Sequence, residues 1–159
     1  MTVTILGGSI GQNREMPDRA SDTIIIEAPI DRVWAIASDI ERYPEWAVDV
    51  KQVVVASRDE SDRPVDVEFR ASALGRSTHY TLRYDYSEAP HRLSWTMVKG
   101  DIQRTIEGAY VITDAGDNRT EVTYDLAIDL VVPLPGFVKR RAERRILNAI
   151  RELKVVAET

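Results

Sequence analysis

The sequence predicts an α+β protein: a strongly curved antiparallel sheet of about seven strands wrapped around one long C-terminal helix, with two short helices after the first strand. Three observations carry this. Between Val50 and Leu130 apolar and polar residues alternate in runs bounded by turn chemistry, the period-2 pattern of strands with one dry and one wet face. Residues Pro133 to Glu158 instead repeat at helical spacing, with Val138, Ala142, Ile146, Ala149, Ile150, Leu153, Val156 and Ala157 inside roughly a 120° arc. No other stretch reads as a long helix, so this one must form the second layer over the sheet. Leu147 falls outside the arc and is expected to be exposed.

Residues 1–19 read as a flexible tail before a domain spanning 20–159. The tail contains Gly7-Gly-Ser-Ile-Gly11, which matches the hydrolase pattern G-x-S-x-G around Ser9. That motif needs a helix after its turn, and the polar, proline-containing stretch from Gln12 to Arg19 does not offer one. Met16 is an alternative start. The first strand is Asp22 to Glu27, closed by Ala28-Pro29. Proline suits the first turn of a helix, and Ile30, Val33, Trp34 and Ala37 then recur at helical spacing. Asp39 caps a second short helix that should stop near Tyr43, because Pro44 disfavours helical geometry in the residue before it.

Strands follow at Val50–Ser57, Pro64–Leu74, Ser77–Ser87 and from Leu93, with Gly75-Arg76 and Ala89-Pro90-His91 as turns. Beyond Gly100, Ile106, Gly108, Tyr110 and Ile112 share a face that by the same parity includes Arg104. After the turn Asp114 to Asn118, Val122, Tyr124, Leu126, Ile128 and Leu130 form the dry face of the last strand. A bent sheet with one long helix can enclose a cavity, and Gly108, Ala142 and Ala149 either leave space there or permit close packing.

At 159 residues the chain suits one domain, long enough to bury roughly 70% of its unfolded surface. Its net charge of −5 gives no global basic field, so no nucleic-acid partner is expected. Without cysteine there is no disulfide, thiolate metal site or cysteine nucleophile, and the cytoplasm is the expected location. Neither a signal peptide nor a membrane-spanning run is apparent. The two histidines, His79 and His91, lie on separate elements, one on an outer face and one on a turn. With scattered carboxylates they give no metal-ligand spacing, so no metal or cofactor is expected.

The run Glu27-Ala-Pro-Ile-Asp-Arg-Val-Trp-Ala-Ile-Ala-Ser-Asp-Ile-Glu-Arg-Tyr-Pro-Glu-Trp46 resembles the opening signature of the START-like (SRPBCC) superfamily with the Bet v 1 helix-grip fold. Within that superfamily it looks like actinobacterial proteins of the polyketide cyclase/dehydrase or coenzyme Q-binding-like group. Leu93-Ser-Trp95, Ile106-Glu-Gly108-Ala-Tyr110, Arg119 to Tyr124 and Lys139 to Arg145 agree with it. The resemblance implies a helix-grip domain that binds or transforms a hydrophobic molecule. In aromatase/cyclases of this superfamily a cavity arginine and a tyrosine position a poly-β-ketone; the matching places here hold Tyr84 and Val50, two departures that argue against that activity.

The residues read as lining a cavity are Tyr43, Trp46, Phe69, Tyr80, Tyr84, Trp95, Met97, Arg104, Tyr110, Ala142, Ile146 and Ala149. Arg104 and Tyr84 are the candidates for catalysis. An inward Arg104 needs a carboxylate or an anionic ligand head; the plainer reading is a strand-end arginine that snorkels to solvent. Lys139, Arg140, Arg141 and Arg144 cluster near the start of the closing helix, where positive charge opposes the helix dipole. They form a solvated face or dock an acyl carrier protein or an anionic membrane surface. The first functional expectation is a binding protein for a lipid-, quinone- or polyketide-like molecule without established catalysis. The alternatives are a polyketide cyclase/dehydratase acting on a carrier-bound poly-β-ketone, and an interaction module using the basic helix.

Overall fold

A computed structural model describes residues 2–6, 18–73 and 75–159. In chain order these form β1 (Thr2–Leu6), β2 (Asp18–Ile26), α1 (Ile30–Ser38), a 3-10 helix (Ile40–Glu45), β3 (Val50–Val55), β4 (Asp66–Ala73), β5 (Arg76–Asp85), β6 (Arg92–Gly100), β7 (Gln103–Gly116), β8 (Arg119–Leu130) and α2 (Gly136–Glu158). All strands belong to one antiparallel sheet in the order β1-β2-β8-β7-β6-β5-β4-β3. Strands β3 to β8 form a meander, and β2 pairs with β8. The two short helices therefore carry the chain from one side of the seven-strand helix-grip sheet to the other.

Two expectations at the N-terminus change. Residues 2–6 form a strand on the outer edge of β2, running from Thr2 opposite Thr23 to Leu6 opposite Arg19, where the sequence suggested a tail. Strand β2 also starts earlier, at Asp18. Ser9, the rest of its glycine motif and Met16 lie outside the described residues.

The elbow between α1 and β3 follows from its prolines. Pro29 is extended, at φ −69° and ψ 156°, and its carbonyl accepts the Val33 N–H at 3.1 Å to start α1. The 3-10 helix continues through Pro44, beyond the stop expected at Tyr43. One ring within so short a segment removes few hydrogen bonds. The Trp46 and Ala47 N–H groups donate to the Tyr43 carbonyl at 3.1 and 2.7 Å and end the turn. Val33, Ala37, Ile40 and Tyr43 bury the inner side of this elbow.

Helix α2 corrects the predicted wheel. Leu147, expected outside, is 2% exposed and packs in the core with Ile150, Leu153 and Ala157. At 3.6 residues per turn the buried arc is centred on Ile150, about 60° round from the one expected. Two different faces had been merged: one packs on β2, β8 and α1, and the other carries Ala142, Ile146 and Ala149 toward open space. Glu143, which stands among the basic residues near the start of α2, is also buried, at 6% exposure.

The C-terminal end of α2 is tied down by polar contacts. Arg32 of α1 donates from Nε to the Ala157 carbonyl at 2.7 Å and from Nη2 to that of Thr159 at 3.0 Å, satisfying carbonyls that the helix end leaves unpaired. The Glu27 N–H donates to Glu158 at 2.7 Å, and Lys154 bonds both the Ile25 carbonyl at 2.9 Å and Glu158. If this packed face holds the helix, Leu147→Ala lowers unfolding free energy by about 3 kcal/mol in urea denaturation, the typical cost of such a cavity. Val155→Ala, at a position 66% exposed, changes it by less than about 0.5 kcal/mol.

Candidate functional site

Between the concave face of the sheet and α2 lies a cavity of about 1030 Å³. Its floor is built by period-2 alternation, which brings one aromatic residue after another to the inner face of neighbouring strands. Phe69 of β4 stacks on Tyr80 of β5 with ring centroids 5.4 Å apart, and Tyr84 lies 6.5 Å from Phe69 and 5.8 Å from Trp95 of β6. Trp95 meets Tyr110 of β7 at 5.4 Å and Tyr124 of β8 at 6.0 Å; those two tyrosines stack at 4.9 Å. The elbow adds Tyr43 and Trp46, edge to face at 5.2 Å. Helix α2 closes the top with Val138, Ala142, Ile146 and Ala149.

The polar groups of the cavity divide into two sets. Tyr43 has committed its hydroxyl to the Ala37 carbonyl, so it presents only its ring. The hydroxyls of Tyr80, Tyr84, Tyr110 and Tyr124 have no hydrogen-bond partner among the described residues. Burial, reinforced by the Asp49 charge, pushes the Tyr80 phenol up to about 12. Burial raises Tyr84, Tyr110 and Tyr124 well above the usual phenol range, so all four are neutral donors near pH 7. The second set fastens the rim. Arg145 of α2 grips Asp49 with Nη2 at 2.7 Å and Nε at 2.9 Å, and Glu152 accepts the Val48 N–H at 2.9 Å. The elbow is thereby pinned to α2.

The family model for polyketide cyclase / dehydrase and lipid transport matches residues 17–158. The chain belongs to this family. Solved structures agree in fold. A START superfamily protein from Mycobacterium smegmatis is 24% identical with a TM-score of 0.81, over 88% of this chain and 97% of that one. The Zhui aromatase/cyclase from Streptomyces sp. R1128 is 15% identical with a TM-score of 0.77, over 88% and 93%. Ginseng major latex-like protein 151 from Panax ginseng is 10% identical with a TM-score of 0.68, over 89% and 97%. No curated protein sequence matches significantly.

For this family member the structure brings Tyr43, Trp46, Phe69, Tyr80, Tyr84, Trp95, Tyr110, Ala142, Ile146 and Ala149 to the cavity wall. Two predicted residues fall elsewhere. The register of β7 against β8 shifts between Gln103 and Thr105, a bulge that breaks the parity used to turn Arg104 inward. Arg104 is exposed and donates to Asp129 at 3.2 Å, while Gln103 turns inward at 8% exposure. Met97 is absent from the wall because its sulfur lies over Gly100, 2.7 Å from where a Cβ would stand. His79 and His91 are both exposed and away from the cavity. Among the described residues no cluster could hold a metal ion, and no helix is long and apolar enough to cross a membrane.

The sequence reading did not mark Gln103, Thr78, Asp49, Glu143 or Glu152, all of which line the cavity. Thr78 and Gln103 belong to a chain of hydrogen bonds. The Thr78 hydroxyl donates to Asp101 and accepts Gln103 Nε2 at 2.9 Å, and Asp101 also takes the His79 and Ile102 N–H groups at 2.8 and 2.5 Å. Only the alternation of β5 around Thr78 hinted at any of this.

Gly108 resolves toward close packing. It pairs with Trp95 across the β6–β7 ladder, and a Cβ there would stand 2.5 Å from three indole atoms. The glycine lets the indole lie flat against the sheet and keeps it out of the cavity. Gly108→Val therefore drives the ring into the open space: affinity for an apolar fluorophore drops about tenfold and stability by about 1–3 kcal/mol. Fluorescence titration alongside urea denaturation checks both, and unchanged binding would mean that the indole does not bound the site.

Proposed function

We propose that the protein binds one hydrophobic, ring-bearing molecule of lipid-, quinone- or polyketide-like chemistry between sheet and helix. The observation that carries this is the wall itself: a continuous aromatic floor with four neutral tyrosine hydroxyls that no described side chain or backbone group engages. Flat apolar rings satisfy the floor by stacking, and ligand oxygens satisfy the hydroxyls. The volume of about 1030 Å³ suits a molecule of several fused rings or a long acyl chain. The absence of cysteine supports a cytoplasmic setting.

The family supports a second reading, cyclisation or dehydration of a poly-β-ketone, in which tyrosine hydroxyls would donate to a developing oxyanion. That reading needs an acid or base at the substrate. Arg104 is outside, no imidazole lines the cavity, Asp49 and Glu152 are engaged at the rim, and the remaining carboxylate of the wall, Glu143, belongs to α2 and not to the tyrosine floor. Binding without chemistry is the reading the geometry favours. Solvent extraction of the purified protein followed by mass spectrometry should yield a hydrophobic compound in about equimolar amount. Recovery of nothing, together with failure to bind any apolar fluorophore, would sink the proposal. Tyr110→Phe and Tyr124→Phe should each weaken ligand binding about 3- to 10-fold, the worth of one buried hydrogen bond, while leaving the melting transition in place.

A further inference from the structure

The chain leading into α2 carries apolar surface that the rest of the described protein leaves open. Val131, Val132 and Phe137 are 47%, 63% and 62% exposed within seven residues. Other exposed aliphatics, such as Val54 and Val98, stand on separate strands. The loop is held in place: the Val131 N–H donates to the Ile102 carbonyl at 2.9 Å, and Pro133 and Pro135 restrict the backbone on either side of Leu134. Leu134 and Val138 line the cavity, so these apolar tips stand at its mouth.

Beside them runs a cationic stripe. Phe137, Arg140, Arg141 and Arg144 follow the i, i+3, i+4, i+7 spacing that puts them on one face of α2, and all four are exposed. The first turn of α2 holds no acidic residue, and Pro135 offers no side-chain cap. Arg140, Arg141 and Arg144 form no ion pair with a described residue, whereas Arg145 is committed to Asp49. Three guanidinium groups stand on one exposed face of the helix in a chain that is acidic as a whole, so an anionic partner is the complement. An acidic protein would engage the arginines but leaves the valines and the phenylalanine unexplained. A bilayer accounts for both: apolar tips reach the acyl boundary and guanidinium groups lie at the phosphates.

We propose that this end of the protein docks on an anionic lipid bilayer, with Val131, Val132 and Phe137 inserted and Arg140, Arg141 and Arg144 on lipid phosphates. Docking sets the cavity mouth on the membrane, where a hydrophobic cargo can pass without crossing water. Its purpose, though not its geometry, rests on the cavity reading.

Co-sedimentation of the full chain with phosphatidylcholine vesicles, with and without about one-third phosphatidylglycerol, tests it. The protein should sediment with the anionic vesicles only. Raising salt from about 0.1 M to about 1 M, which shortens the screening length from about 10 Å to about 3 Å, should release most of it. Val132→Asp with Phe137→Asp, and separately Arg140→Glu with Arg144→Glu, should each weaken vesicle binding at least tenfold, roughly 1.4 kcal/mol. Both variants should keep the far-UV spectrum and the fluorophore affinity of the parent. Loss of fluorophore binding in the parent, with vesicle binding intact, would overturn the cavity reading and not the docking. Failure of the parent to sediment, equal sedimentation of the variants, or capture by an immobilised acidic acyl carrier protein without vesicle binding would overturn the docking.

Discussion

The structure depends on how α2 is anchored. Leu147, Ile150 and Leu153 bury one side of the helix completely or nearly so, each worth about 2 kcal/mol by the area removed from water. Arg32 then closes the helix end by bonding carbonyls that would otherwise be unpaired. These contacts involve β2, β8 and α1, all toward one side of the sheet. The N-terminal half of α2 roofs the cavity, pinned across it by Arg145 on Asp49. A helix packed along its whole length would have filled the space that defines the site.

The same anchoring accounts for what a reading of residues recovered. Alternation is a local property, so the strands, the turns and most of the aromatic wall were legible. Tyr80, Tyr84, Trp95 and Tyr110 sit where their parity puts them. Parity fails wherever the ladder slips. The bulge at Gln103–Thr105 exchanges Arg104 for Gln103, and nothing in Gly-Asp-Ile-Gln-Arg announces it. The helix wheel failed for a related reason. It assumes one partner, whereas α2 has a packed face and a cavity face, and their average left Leu147 outside. The Asp101–Thr78–Gln103 chain spans residues far apart in sequence that only the β5–β6 pairing and the β6–β7 turn bring together.

That one-residue slip also decides the electrostatic character of the interior. With Arg104 inside, the cavity would hold a cation and select an anionic head group. With Gln103 inside, the aromatic floor carries no charge, and the charged groups of the wall stand on the elbow, on α2 and beside the β4–β5 turn. Asp101 accepts from Thr78, so the threonine oxygen must accept from the amide of Gln103, which fixes the amide's orientation. Positive charge is displaced to the rim, where Arg76, Lys139 and Arg141 border the opening.

An ionised ligand group driven to the aromatic floor would lose its hydration against neutral phenols, a penalty of several kcal/mol that the hydroxyls only partly offset. The arrangement thus favours a molecule with its ring or chain on the floor and any acidic group at the mouth. The exposed arginines of α2 and the apolar tips before it lie at that same mouth, so the polarity that orients a cargo inside matches the polarity that would orient the whole protein on a lipid surface. Both follow from a chain, acidic as a whole, that places Lys139, Arg140, Arg141, Arg144 and Arg145 near the start of α2 and keeps cations off the aromatic floor.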